Sequence, residues 1–272
     1  MSPFFLLLLL LLPLSLLAIL SLITRPKPTK IPLKSRHVFI TGGSSGIGLA
    51  LAHRAASEGA RVSILARSSQ KLEEAKESIK LATGVEVATF SADVRDYDAV
   101  SKAVEEAGAV DVLVVNQGVF TARELERHSV EDVRFIVDVN LVGSFNVIKA
   151  ALPGMKARDD GRGARSIALV SSQAGQKSRP EVTAIIAASS GSMKTEEVAR
   201  RAMNGIKAGK FTVSCNFEGF LLSLATTGMS PQRSFWLAFL EVITAGPIRL
   251  VALFFQWDWY NAIEKWSKTK NK

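Results

Sequence analysis

Cysteine is almost missing from this chain. Cys215 stands alone, so no internal disulfide can form and nothing asks for an oxidising compartment. A lone cysteine of this kind reads as a small buried apolar side chain. Acids are missing from both flanks. Arg25, Lys27, Lys30, Lys34 and Arg36 form one basic run, and Lys265, Lys268, Lys270 and Lys272 form another, neither containing Asp or Glu. These nine residues account for the whole formal charge of +9. The body between them is neutral, which argues against nucleic acid as a partner and for an anionic membrane surface. Charge of either sign is missing from Phe4 to Ile23, a leucine-rich run long enough to span a bilayer core. A cleavable signal peptide is excluded by the lack of a basic start and of an Ala-x-Ala-like site. Pro13 is tolerable in such a helix. The bases follow this run, so the downstream chain is expected in the cytosol. Pro26, Pro28 and Pro32 stiffen the basic spacer after it.

What is present is organised around one stretch, His37 to Gly48. Val38 to Ile40 suit a buried strand, Ile47 to Glu58 read as a helix, and Gly42, Gly46 and Gly48 lie between at Gly-x-x-x-Gly-x-Gly spacing. A strand that turns at once into a helix aims the helix's unpaired N–H groups at the turn. Glycines there let a pyrophosphate approach the backbone, and Gly48 lets the helix lie close to the strand. Ser44 and Ser45 add hydroxyl donors and Ile47 begins the helix. In the context of strand, turn, helix and second strand, the stretch reads as a dinucleotide site.

From there strand and helix patterns alternate. Strands are expected at Arg61–Ala66, Val85–Ser91, Val110–Val115 and Ser166–Ser171, and helices at Ser69–Leu81, from an Asp96 cap to Ala107, and from a Ser129–Asp132 capping box to Lys156. This repetition implies an α/β, Rossmann-type doubly wound parallel sheet. After Gly175 the alternation fails. Ser192–Lys207 reads as a helix, Phe211–Cys215 as a short strand, and Phe217–Leu224 and Phe235–Phe255 as strongly apolar. The last run holds Glu241, Gly246-Pro247 and Arg249, and a charge in mid-span costs about 3 kcal/mol. A broken or re-entrant membrane segment is therefore preferred there, with a helix packed on the soluble domain as the alternative. Trp236, Trp257, Trp259 and Trp266 all fall in this tail, as interfacial residues do. The expected organisation is an anchor (1–24), a basic linker (25–36), a nucleotide-binding domain (37–216) and a membrane-associated tail (217–272).

A residue about 20 positions past the glycine turn meets the adenosine ribose. Here Ala66-Arg67 ends the second strand and Lys71 follows one helical turn on, with no acid beside them. Two cations favour the 2′-phosphate of NADP over the bare hydroxyl of NAD.

Together with Asp93-Val94, Asn116-Gln117-Gly118, Asn140 and Ser171-Ser172-Gln173-Ala174-Gly175, these residues resemble the short-chain dehydrogenase/reductase family. The resemblance implies that Asp93 and Val94 hold the adenine and that Asn116 and Gly118 line the cofactor. It also implies that Ser172 polarises a substrate carbonyl and that Asn140 holds a water in a proton relay, with no metal. The anchor, the glycine turn and the segments Ser178-Arg179-Pro180-Glu181 and Cys215 to Phe220 look like the 3-ketodihydrosphingosine reductase branch. That branch is implied to reduce 3-ketosphinganine, a long-chain keto-sphingoid base, to sphinganine with NADPH at the endoplasmic reticulum membrane. Membrane lipids are then natural neighbours, and a homo-oligomer is left open.

One departure is severe. The family's general acid is the tyrosine of a Tyr-x-x-x-Lys motif on the helix after the serine strand. This chain has only Tyr97 and Tyr260, followed four residues on by Ser101 and Glu264. The sequence passes from Gly175 almost directly to Ser178-Arg179-Pro180, so the catalytic helix and the following strand are absent and the sheet is expected to stop after its fifth strand. Two readings follow: a ketone reductase whose active form includes the missing block, or a non-catalytic, membrane-anchored NADP-binding protein, including as a partner of a complete copy.

Overall fold

The apolar runs become the strands of one parallel sheet. The computed structural model describes residues 3–24, 29–120, 125–158, 160–171 and 193–270. Its strands are β1 (His37–Thr41), β2 (Arg61–Ala66), β3 (Ala88–Ser91), β4 (Val112–Val115) and β5 (Ser166–Leu169), in the order β3-β2-β1-β4-β5. Val38 lies opposite Val62 and Val112, and Ile40 opposite Ile64 and Val114. Alternation then sorts the side chains to two faces. Val38, Ile40, Val62, Ile64, Val112 and Val114 enter one core, while Phe39, Leu65, Leu113 and Val115 enter the other.

Helices cover both faces, as an all-parallel sheet requires. α2 (Gly46–Ser57), α3 (Ser69–Thr83) and a helix near the end of this unit, α7 (Thr195–Lys207), contribute to the first core through Leu51, Leu72, Ile79 and Met203. On the other face lie α4 (Tyr97–Ala107), α5 (Val130–Val137) and α6 (Gly143–Ala157), with a π-helical segment, Asp138–Val142, joining the last two. The expected caps are there: Asp96 accepts from the Ala99 N–H, and Ser129 and Asp132 form a capping box. α7 docks on α2, where the Lys207 ammonium lies 2.7 Å from Glu58.

The chain divides into two compact units, residues 30–209 and residues 1–29 with 210–272. Ile31 and Leu33, read from sequence as part of the linker, are buried in the first core of the unit of residues 30–209. The other unit contains α1 (Pro3–Ile23), α8 (Phe217–Ala225) and α9 (Phe235–Lys270), with α9 packed against both α1 and α8. Its surface is apolar: Leu14, Leu22 and Ile23 of α1 and Trp236, Leu250, Phe254 and Trp257 of α9 are exposed.

Three details differ from expectation. Phe211–Cys215 is not a strand. A strand is stabilised by a ladder partner, and among the described residues the sheet ends at β5. The helix α9 runs unbroken through Gly246-Pro247, so the tail has no interrupted segment there. Proline removes one ladder hydrogen bond, which a helix this long absorbs. The helical stretch that meets a membrane-spanning length and hydropathy among the described residues is Val130–Ala157. It is a sheet-covering helix, burying Val139, Val147, Ala151 and Met155 with Leu113 and Val115.

Candidate dinucleotide site

The strand order reverses between β1 and β4, whose carboxyl ends open a crevice of the kind where parallel sheets bind ligands. The glycine turn fills one side of it. Gly42 and Gly46 take left-handed backbone angles, φ 62° and 54°, which side chains rarely adopt. Gly48 is fixed by closeness instead: a Cβ there would stand 2.1 Å from the Gly42 carbonyl oxygen and 2.5 Å from Asn116 Nδ2. At Gly46, by contrast, a Cβ would meet nothing within 4 Å, so the turn opens on free space. Ser45 is the N-cap of α2, extended and exposed, and its side chain does not cap the helix. The first turn of α2 also carries no acid, so its N–H groups and positive dipole end are left for an anion. Ser44 is half-buried beside it, and Ile47 packs on the first core and steadies the helix start.

Asn116 staples this turn to β4. Its Nδ2 donates to the Thr41 and Gly42 carbonyls at 3.2 and 3.3 Å, and its backbone N–H donates to Thr41 Oγ1 at 3.0 Å. Gly118 is exposed in the loop that follows. Thr41 Oγ1 also bonds Gln117 Oε1, while Gln117 Nε2 donates to Ser144 Oγ at 3.0 Å. Ser144 Oγ in turn donates to the Asn140 carbonyl at 2.7 Å. Asn140 sits in the π-helical segment, a feature found often at functional positions. Both ends of its side-chain amide are committed to Val119: Oδ1 accepts from the Val119 N–H and Nδ2 donates to the Val119 carbonyl, each at 2.8 Å. The loop from Asn116 to Val119 is thereby held from both sides.

At the adenosine end, Arg67 and Lys71 are exposed. The Arg67 guanidinium makes no hydrogen bond or ion pair among the described residues, and its Cζ lies 6.0 Å from the Phe135 ring centroid. The Lys71 backbone N–H donates to Ser68 Oγ, the N-cap of α3. Hydrogen bonds from Arg95 hold the Asp93 carboxyl below the usual carboxylate range, with Arg67 adding to the effect. Val94 is buried, and a Cβ at Gly143 would lie 2.6 Å from its Cγ2, so α6 packs tightly on it. Asn146 Nδ2 donates to the Val94 carbonyl at 2.9 Å.

The structure thus brings Gly42 to Gly48, Asn116 and Gly118 to one crevice. Ser172, the segment 173–175, Ser178 to Glu181 and the linker bases Arg25 and Lys27 lie outside the described residues. Thr41 and Gln117 stand in the sequence only as members of the glycine-turn stretch and the Asn116-Gln117-Gly118 motif, and Ser144 and Asn146 were not singled out. The cradle fits a dinucleotide: an uncapped helix start, an open Gly46 and a turn too tight for any side chain at Gly48.

Residues 36–205 match the family model described as short chain dehydrogenase. The chain is 71% identical to 3-dehydrosphinganine reductase TSC10A of Arabidopsis thaliana, over 92% of each chain. It is 60% identical to 3-dehydrosphinganine reductase TSC10B of Arabidopsis thaliana, over 95% of this chain and 93% of that one. The alignment with TSC10A runs over 302 residues, more than the 272 of this chain, so residues of that relative stand opposite gaps here. Among solved structures, 3-ketoacyl-(acyl-carrier-protein) reductase from Brucella melitensis complexed with NADH is 30% identical at a TM-score of 0.50. That match covers 54% of this chain and 62% of the other, under two thirds of its length.

Proposed function

The chain belongs to the short-chain dehydrogenase family, and from that premise we propose that it represents a membrane-bound, NADPH-dependent 3-dehydrosphinganine reductase. It would reduce 3-ketosphinganine to sphinganine in sphingolipid synthesis. The observation that carries this reading is the 71% identity to a reductase of that name over nearly the whole of both chains.

Gly42, Ser44, Ser45, Gly46, Ile47 and Gly48 hold the pyrophosphate, Asp93 and Val94 the adenine, and Asn116 and Gly118 the inner wall. Arg67 and Lys71 support NADP(H) over NAD(H), because they are two exposed cations with no acid beside them in sequence. The bound nicotinamide supplies the hydride. Ser172 orients the substrate carbonyl. Asn140 holds the loop from Asn116 to Val119 and, through its carbonyl, the hydroxyl of Ser144. We assign the protein to the endoplasmic reticulum membrane with the nucleotide-binding unit on the cytosolic side, supported by the apolar α1 and the bases after it. An epitope near Lys80 should be digested by protease added to sealed microsomes; protection until detergent is added would reverse the topology.

A second reading concerns this polypeptide as it stands: it binds the cofactor but does not turn over. Reducing a ketone leaves an alkoxide that must receive a proton from a donor in hydrogen-bond reach. Tyr97 is on α4 under the Lys149 ammonium, before β5, and Tyr260 is far down the chain on α9, so neither stands directly after the serine strand as the family's tyrosine does. The test compares membranes carrying this chain with membranes carrying a version restored after Gly175 by a Tyr-x-x-x-Lys block. The restored chain should reduce 3-ketosphinganine, and the chain as it stands should be slower by about a hundredfold or more. Turnover of the two within about tenfold would show that another donor serves. An inactive restored chain would sink the substrate assignment.

A further inference from the structure

Three side chains from three separate elements meet at the adenosine end of the site. Arg67 leaves the end of β2, Arg95 follows β3, and Phe135 comes from α5. The Arg95 Cζ lies 5.0 Å from the Phe135 ring centroid and the Arg67 Cζ lies 6.0 Å from it, both within cation–π range. Phe135 is half-buried and packed against the second core, so the ring is a fixed surface under two mobile side chains. Arg95 also forks onto Asp93, with Nε 3.1 Å from Oδ1 and Nη2 2.8 Å from Oδ2. Its Nη1 makes no such bond, and the Arg67 guanidinium makes none among the described residues. Asp93 pairs with Arg95, and the Asp138 carboxylate also acts on that guanidinium, whereas the Arg67 guanidinium lies by the ring with no ion pair among the described residues. A phosphate monoester carries about −1.5 to −2 charges at neutral pH and offers three acceptor oxygens, room for a guanidinium edge beside Arg67 and Lys71.

We propose that Arg95 is a third cation of the 2′-phosphate site, beside Arg67 and Lys71, and that Phe135 is a positioning residue, holding both guanidiniums toward the same point. This rests on the NADPH reading above and extends it to two residues that the sequence motif does not contain. Asp93 restrains Arg95 through one edge of the guanidinium and leaves the other edge for phosphate. The ring acts on both cations without adding charge, so its removal should weaken recognition of the phosphate specifically.

The probes are 2′,5′-ADP and 5′-ADP, which differ only in the 2′-phosphate, titrated calorimetrically into the full chain in detergent micelles. The measured quantity is the ratio of the two affinities. The unaltered chain should favour 2′,5′-ADP by about tenfold or more. Phe135→Leu should cut that ratio by roughly two- to fivefold, and Phe135→Tyr should keep it. Arg95→Gln, on an exposed side chain and so without risk to the fold, should cut it by about tenfold. If the unaltered chain binds both nucleotides equally, or neither, the NADPH reading fails and takes this inference with it. If it favours 2′,5′-ADP and Arg67→Ala abolishes the preference, an unchanged ratio in Arg95→Gln removes Arg95 from the phosphate site. An unchanged ratio in Phe135→Leu likewise removes the positioning role, leaving the NADPH reading intact.

Discussion

β4 and β5 are neighbours in one sheet, paired in parallel from Val112–Ser166 to Val115–Leu169. Every residue of β4 is buried, whereas Ser166, Ile167 and Ala168 are half-buried and Leu169 is 63% exposed. β4 is Val-Leu-Val-Val and β5 Ser-Ile-Ala-Leu, and the two strands also differ in what covers them. β4 has β1 and β5 at its sides and helices on both faces, while among the described residues β5 has no outer neighbour. Burial in a parallel sheet is thus conferred by the units on either side. On the proposed reading, the helix and strand of the family that would follow β5 are the ones this chain lacks after Gly175. We therefore propose that nucleotide binding and ketone reduction are separable in this chain. The turn between β1 and α2 is held by Asn116, and the loop from Asn116 to Val119 is braced by Asn140, all from residues that precede β5.

The largest test of this separation strikes the finished side. Gly48→Ala places a methyl group 2.1 Å from the Gly42 carbonyl, and backbone must move to admit it. We expect NADP(H) affinity to fall by about a hundredfold, or about 2.7 kcal/mol, because the turn that moves is the one that holds the pyrophosphate. Calorimetric titration of the full chain measures it. An affinity within threefold of the original would mean that the cofactor does not lie on this turn.

How much of this was legible depends on the range of the interaction. Arg61–Ala66 emerges as a strand at its expected bounds, and the Asp96 cap and the Ser129–Asp132 box emerge where expected, because caps and periodicity are written within a few residues. The glycine turn was legible for the same reason. What was not legible joins distant residues: Asn116 to Gly42, Gln117 to Ser144 and Asn146 to Val94 are separated by 74, 27 and 52 positions. Local pattern cannot choose among such pairs. Phe211–Cys215 has strand composition but no strand, since a strand is decided by its neighbour. The π-helical segment at Asn140 leaves no mark in apolar spacing that separates it from α-helix.

A second comparison runs along β1 itself. Its carboxyl end opens into the glycine turn, and its amino end is closed by a polar cluster. Asp111, fully buried, accepts the His37 N–H at 2.9 Å and Arg158 Nη2 at 2.8 Å. The His37 ring lies against Ala109 O at 2.9 Å and Ser63 Oγ at 2.8 Å, beside the Arg61 guanidinium. Burial pushes this imidazole down from 6.5 to about 4, with Arg61 and Arg158 adding to the effect and the Ala109 carbonyl and Asp111 opposing it. A lowered folded-state value means that the stabilisation is whole above pH 6.5 and is lost as pH falls toward 4. By pH 5 the loss is about 2 kcal/mol. Urea midpoints of the full chain at pH 7 and pH 5 should therefore diverge, and His37→Gln should narrow the gap. An equal acid loss in both proteins would shift the cause to other groups.

The smallest expected effect is the one that most directly probes the open edge. Leu169 and Leu113 are leucines on adjacent strands whose side chains point to the same face, since Leu113 pairs with Ile167 and side chains alternate. Leu113 is wholly buried, so truncation to alanine should cost about 2–5 kcal/mol, the range for a leucine removed from a packed core. At 63% exposure Leu169 has little packing to lose, and Leu169→Ala should cost under about 0.5 kcal/mol. It should also reduce self-association, because an uncovered apolar edge strand invites pairing with another chain. Denaturant unfolding of both variants, with light scattering across a concentration series, separates the two effects. A cost at Leu169 approaching that at Leu113 would mean that β5 is covered in solution. The most direct source of such cover would be a second chain, and the stability of the Leu169→Ala variant would then depend on protein concentration.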